Sequence, residues 1–208
     1  ALTSIPRDTR VKIPGYGYSK INNAHAYGDI SLAQQTVGTF LDEPIHYYVR
    51  TDFTGLKQAV DAVGGIDITN KDYLSDSEYP CDNNQWRSCG FTLKPGTYHA
   101  DGSLALKYAR CRKGTCGDDF GRAARQQEVL SALRAKATSV GTILDPTKLT
   151  SLITAAGDNV KTDMSVGEIM RLNDLTKDIP NDQFINVVFS LKENGFLKSS
   201  PDGTSDLV

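Results

Sequence analysis

The sequence predicts an α/β domain in which helices cover a sheet. Segments rich in β-branched and aromatic residues alternate with segments whose apolar residues recur every three and four positions. No repeat or low-complexity block interrupts that alternation, and 208 residues with a 39% hydrophobic fraction suit one core. With 23 Lys and Arg against 25 Asp and Glu, the formal net charge is −2. No global positive field is available for nucleic acid or an anionic membrane, so any anion site must be local. No run approaches the about 20 apolar residues of a transmembrane helix, and no signal-peptide pattern opens the chain. A chain starting at Ala1 reads as a processed or trimmed product, with a membrane anchor or further domain residues expected upstream.

Pro6 and Pro14 bracket RDTRVKI, read as a strand end followed by a loop. Ala24, Tyr27, Leu32, Thr36 and Phe40 give a helix over 22–41, ended by Asp42 to Pro44. IHYYVRT (45–51) reads as a strand, and Asp52 caps the helix FTGLKQAVDAV, which Gly64-Gly65 stops before the strand IDIT. Residues 70–92 read as a polar loop holding Trp86. TLKPGTYHA gives a strand and turn, and Asp101 caps a short helix, GSLALKY. YARCR is expected to be extended, with Arg110 and Arg112 on one face and Cys111 on the other. A long helix follows from about Phe120 to Ser139. Asp145-Pro146 and Ser165 with Glu168 mark two later helix starts. FINVVFSL (184–191) reads as a strand and SSPDGTSD as a frayed tail.

Cys81 with Cys89 and Cys111 with Cys116 form two close pairs, neither with CxxC spacing. His25, His46 and His99 are scattered, which argues against zinc. Of three possible connectivities, local pairing is the simplest and implies an oxidising compartment; four unpaired buried thiols are the alternative. Two arginine forks on YARCR suit phosphate oxygens. Arg122, Arg125 and Gln126 share a face near a helix N-terminus, whose free N–H groups and dipole also favour an anion. The competing reading pairs these arginines with Asp118, Asp119 and Glu128 in a solvated network, with Asp119 as the helix N-cap.

SIPRDTRV (4–11), KINNAHAYG (20–28), YYVRTDFTGLKQAVDAVGGIDI (47–68), LKPGTYHADGSLALKYARCR (93–112) and DDFGRAARQQEVL (118–130) closely resemble the LytR-CpsA-Psr family of bacterial cell-envelope proteins. The likeness runs from about Ser4 to Leu191, with five motifs in the family's order. It implies a three-layer α/β/α domain around a central mixed, largely antiparallel sheet, spanning residues 1–195 with a tail over 196–208. It also implies a phosphotransferase that moves a glycopolymer from a polyprenyl-pyrophosphate carrier to a peptidoglycan hydroxyl, forming a phosphodiester with magnesium. The prenyl tail would lie in an apolar tunnel and the head group at an arginine-rich mouth. Matching residues are Arg7, Lys20, Arg110, Arg112 and Gln126 for the pyrophosphate, with Arg122 and Asp119 nearer the chemistry. The family's two magnesium-binding aspartates are expected upstream of Ala1, and Asp8 is not their equivalent. The implied setting is the outer face of the bacterial cytoplasmic membrane, with the polymer (teichoic acid, capsule or arabinogalactan) undetermined.

Other residues have bland readings. His25 and His46 read as packed or surface residues. Tyr47, Tyr48, Val49 and Phe53 suit either a core or a prenyl tunnel, and Trp86 either a pinned surface loop or a contact to the glycan acceptor. Two further functions compete with the transferase: a non-catalytic lipid-pyrophosphate binding or regulatory module, and a secreted domain binding another phosphorylated ligand at the same arginines.

Overall fold

The computed structural model describes residues 1–82, 84–139, 145–180, 183, 185–189 and 198–199. In chain order the elements are β1 (Leu2–Ser4), β2 (Arg10–Ile13), β3 (Gly17–Lys20), α1 (Asn23–Leu41), β4 (Val49–Thr51), α2 (Phe53–Ala62), β5 (Ile66–Asn70) and β6 (Leu74–Asp76). Then come β7 (Pro80–Cys81), β8 (Asn84–Ser88), β9 (Phe91–Leu93), β10 (Gly96–Ala100), α3 (Gly102–Arg110) and α4 (Asp119–Ser139). The last are α5 (Pro146–Ala156), β11 (Val160–Thr162), α6 (Val166–Thr176) and β12 (Asn186–Val188). The class is α/β, as expected, and the strands form two-stranded ladders, antiparallel in each whose register is resolved. Among the described residues no helix is long and apolar enough to cross a membrane. The expected tail over 196–208 lies outside the described residues except for 198–199.

The chain separates into two compact units, one of Ala1–Leu2 with Arg50–Asn186 and one of Thr3–Val49 with Val187–Val208. In the smaller unit, RDTRVKI is not a strand end but half of a hairpin, β2 against β3, with Val11 opposite Ser19. Gly15 and Gly17 supply the positive φ that its turn needs, at 81° and 79°. Val11, Ile13, Ile21 and Ala24 form its core, with Leu32, Val37 and Phe40 of α1 packed against them. α1 is broken at Gly28 and Asp29, which leave helical geometry. Tyr27, just before the break, stacks on the ring of Tyr16 at 4.8 Å.

The larger unit is built on α2, α3, α4 and the β5–β10 pair. Asp52 caps α2 by accepting from the Gly55 N–H at 2.8 Å, and Gly64 and Gly65 end it with positive φ. Only Val49–Thr51 of the expected 45–51 strand is extended. Val60, Val63, Ile66, Ile68, Tyr108 and Val129 bury together in the core. α3 crosses α2 closely: the Gly102 N–H donates to Asp61 Oδ1 at 2.7 Å, and a Cβ at Gly102 would enter the backbone of Lys57. The caps Asp101, Asp145 and Ser165 with Glu168 are all in place. Residues 70–92 carry more order than a polar loop, since β6 pairs with β9 and β7 with β8. Of FINVVFSL, only Asn186–Val188 is a strand, and residues 184, 190 and 191 lie outside the described set.

His99 on β10 joins Asp67 at 2.7 Å through Nδ1 and the Gly64 carbonyl at 2.9 Å through Nε2. Both partners are acceptors, so they favour the imidazolium, and the Asp67 bond raises the His99 pKa above its ordinary 6.5, the Gly64 carbonyl adding to it. A raised folded-state pKa stabilises the fold fully below pH about 6.5 and loses that contribution as pH climbs through the folded value. Melting curves from pH 5.5 to 8.5 should therefore fall more for wild type than for His99→Gln. Parallel curves would remove this linkage.

Candidate functional site

The site is organised by how α3 ends. Arg110 is its last residue, because Cys111 leaves the helical region at φ −54°, ψ 127°. The sequence had YARCR extended; instead YAR completes the helix and only Cys111 onward is loop. Apolar Leu104, Ala105, Tyr108 and Ala109 hold that last turn on the core, which overrides the strand-like alternation of Arg110, Cys111 and Arg112.

Two buried side chains of opposite charge grip this loop. Arg125 of α4, 8% exposed, donates from Nε to the Tyr108 carbonyl at 3.1 Å and from Nη2 to the Cys111 carbonyl. It thereby satisfies carbonyls that the end of α3 leaves open. Asp76 of β6, 3% exposed, accepts from the N–H groups of Arg112 and Lys113, each at 3.2 Å, and from that of Glu78 at 3.0 Å. Cation to carbonyls and anion to amides, the pair keeps the chain polarity of the turn satisfied without solvent. Thr115 adds a relay, donating to the Tyr73 carbonyl and accepting from the Ser75 N–H, both at 2.7 Å. Gly114 is required there: its φ is +57°, and a Cβ would enter the Ser75 carbonyl. Cys111 and Cys116 are disulfide-bonded, as are Cys81 and Cys89, so local pairing holds.

α4 begins at Asp119, but its cap is Asp118, whose Oδ1 accepts from the Phe120 and Gly121 N–H groups at 2.9 and 3.0 Å. The expected N-cap, Asp119, is thereby freed. Its Oδ1 lies 3.3 Å from Arg122 and 3.8 Å from Arg112. Tyr108 hydrogen-bonds Glu128 at 2.5 Å, and burial and that carboxylate push its pKa far above the phenol range, so Glu128 is tied to the core side of α4, where Arg125 also feels its charge.

Arg110, Arg112, Arg122 and Gln126 line one cavity of about 380 Å³, together with Lys113. Four cations face two carboxylates there, Asp76 and Glu78. Among the described residues Arg110 has no carboxylate partner; its guanidinium stands 3.9 Å from the Phe53 ring centroid and 5.6 Å from that of Tyr79. The solvated-network reading therefore fits Arg112 and Arg122 but not Arg110. Arg125, grouped with Arg122 and Gln126 by helical spacing, faces the core instead. Arg7 and Lys20 belong to the smaller unit, where both reach Asp8, at 3.6 and 3.1 Å. His25 pairs with Asp29 at the surface. Phe53 lines the arginine cavity rather than an apolar tunnel.

The LytR_cpsA_psr family model matches residues 1–197. The chain belongs to the LytR-CpsA-Psr family. This family member is 37% identical over 172 residues to an Enterococcus faecalis protein named polyisoprenyl-teichoic acid–peptidoglycan teichoic acid transferase TagU, covering 82% of this chain and 52% of that one. It thus spans about half the length of the curated relatives it matches. Among solved structures, Bacillus subtilis TagV superposes with a TM-score of 0.74 at 32% identity, covering 97% of this chain and 74% of that one. TagT bound to LIIa-WTA gives 0.69 at 31%, covering 99% and 70%.

In this LytR-CpsA-Psr domain, sequence reasoning missed Asp76, Tyr79 and Lys113 as parts of the cavity. Asp76 and Tyr79 arrive from a segment that reads as loop, about thirty residues before Arg110, and no local pattern points to them. Lys113 directly follows the YARCR segment and was recoverable from that position.

Proposed function

We propose that this domain is the phosphotransferase unit of a cell-envelope enzyme that moves a teichoic-acid-type glycopolymer from a polyprenyl-pyrophosphate carrier to a hydroxyl of peptidoglycan. The observation that carries it is one cavity holding Arg110, Arg112, Arg122, Lys113 and Gln126, in which Arg110 forms no ion pair among the described residues. A second cavity, about 570 Å³ and lined by Ala59, Val63, Leu133, Leu149, Ile153 and Val160, supports a lipid tail. Phe53 at the first residue of α2 borders the cationic cavity, and Ala59 to Val63 at its other end border the apolar one. Ten helical residues span about 15 Å, so one short helix relates a polar and an apolar site as an amphiphile would require.

In this reading the acceptor oxygen attacks the phosphorus that bears the glycan. A new P–O bond forms, the phosphoanhydride bond breaks, polyprenyl phosphate leaves, and the hydroxyl proton passes to a base. Arg110, Arg112 and Gln126 hold the pyrophosphate, with Arg7 and Lys20 assigned to it by the family motif. Arg122 stabilises the charge that spreads over the equatorial oxygens, and Asp119 sets the orientation of Arg122 and Arg112. Magnesium enters only as a dependence to be measured. No cluster of three His, Cys, Asp or Glu that fits a metal occurs among the described residues, and Asp76 and Asp119 are already engaged, so no step is assigned to the ion. A second reading, a lipid-pyrophosphate binding module without catalysis, would use the same cationic cavity. The proposed location is the outer face of the cytoplasmic membrane, with contact through the lipid substrate and an upstream anchor. Trp86, 91% exposed, is a candidate contact for glycan.

The deciding experiment incubates the protein with polyprenyl-pyrophosphate-linked glycan, peptidoglycan and magnesium. Phosphodiester-linked product is expected, with release of polyprenyl phosphate. Donor binding without product would select the binding module, and preferential protection by nucleotides or phosphosugars would replace the lipid reading altogether.

A further inference from the structure

Tyr79 is the most thoroughly buried residue of the arginine cavity, with 2% of its surface exposed. Its ring packs on Phe91 at 5.7 Å between centroids, and its carbonyl accepts from the Cys89 and Gly90 N–H groups at 2.8 and 3.2 Å. The position is therefore fixed on both sides, by the core and by the disulfide-closed hairpin of β7 and β8. Among the described residues its hydroxyl has no hydrogen-bond partner. A buried, unpaired hydroxyl is a standing desolvation cost, and phenylalanine would fill the same space without it. A group that enters the cavity can supply the acceptor that the fold does not.

The surroundings indicate what that is. The Arg110 guanidinium, which pairs with no carboxylate among the described residues, lies 5.6 Å from the Tyr79 ring centroid. Burial raises the Tyr79 pKa above its ordinary value and the Arg110 guanidinium opposes the shift; that group only donates, so it offers the phenol proton no acceptor. The phenol therefore keeps its proton at neutral pH. A protonated phenol beside an open guanidinium is a pair of donors with no acceptor between them, in a cavity whose cations outnumber its carboxylates. An oxyanion is the missing partner.

We propose that the Tyr79 hydroxyl is a binding group of this cavity that donates a hydrogen bond to a phosphoryl oxygen held by Arg110. The inference rests on the pyrophosphate reading above and adds to it a neutral donor that no motif assigns. The hydroxyl is closed off from solvent, so a phosphoryl oxygen reaches it as Arg110 is drawn off the ring and onto the anion. A neutral donor at this place binds without adding to the repulsion among Arg110, Arg112 and Arg122.

The test is calorimetric titration of wild type and Tyr79→Phe with inorganic pyrophosphate, alongside melting curves without ligand. Tyr79→Phe should bind about tenfold more weakly, as the loss of one hydrogen bond to a charged oxygen requires. Its ligand-free melting temperature should equal or exceed that of wild type, because an unpaired buried hydroxyl has been removed. Weaker binding together with an unchanged or higher melting temperature separates ligand contact from a structural role, which would lower both. Equal affinity in the two proteins would overturn the Tyr79 assignment while leaving the pyrophosphate reading intact. A lowered ligand-free melting temperature with equal affinity would also overturn it, by revealing a partner inside the fold. Absence of pyrophosphate binding by wild type would refute the reading and the assignment together.

Discussion

Arg110→Ala should reduce glycopolymer transfer by about a hundredfold or more, the usual consequence of deleting one donor that faces developing charge. The fold should survive. Arg110 has no carboxylate partner among the described residues, and what is lost is its contact with the Phe53 and Tyr79 rings, worth roughly 1 kcal/mol. For a chain of this length that lowers the melting temperature by no more than about 4 °C. Arg110→Lys retains the charge but not the planar fork, and should recover only part of the rate. Transfer at the wild-type rate by Arg110→Ala would exclude the cavity as the reaction site.

The second large effect concerns Arg125. Its deletion leaves two buried carbonyls, those of Tyr108 and Cys111, without their donor. Hydrogen bonds to a charged group contribute about 1.5–3 kcal/mol each, so Arg125→Met should cost at least about 3 kcal/mol and lower the melting temperature by roughly 6 °C or more. Lysine supplies one point donor where the guanidinium supplies two divergent ones, so Arg125→Lys should rescue about half of the loss. Denaturant unfolding of the three proteins measures this directly. Stability of Arg125→Met within about 0.5 kcal/mol of wild type would show that solvent satisfies those carbonyls.

Arg125 stands in the motif RAARQ, three residues from Arg122 and fifteen from Arg110, and the sequence could not separate its duty from theirs. Helical spacing put Arg125 beside Arg122 and Gln126, and the cavity received Arg122 and Gln126 but not Arg125. The deciding fact is long-range: the end of α3 leaves carbonyls open where Arg125 arrives. Helix starts were legible because a cap acts over three residues, as Asp52, Asp101, Asp145 and Ser165 show. In the Asp118-Asp119 pair the same rule could not choose between neighbours, and the cap fell to Asp118. Strand-like alternation misread YARCR because tertiary packing of Tyr108 and Ala109 extended the helix through Arg110. Asp76 and Tyr79 were illegible for a different reason. They reach the cavity through the pairing of β6 with β9 and of β7 with β8, contacts that a polar, cysteine-bearing segment does not announce.

The grip on the turn after α3 also bears on proteolysis. Arg110, Arg112 and Lys113 place three bonds of the kind trypsin-like enzymes cut within four residues. Such enzymes must draw several residues of their substrate out into an extended strand. Here the first of those bonds follows the last turn of a helix. The amides on either side of the second are held by Asp76 or closed into the small ring between Cys111 and Cys116. A run of residues that invites cleavage is thus stored in a shape that cannot be straightened unless the β6 and α4 contacts are undone first.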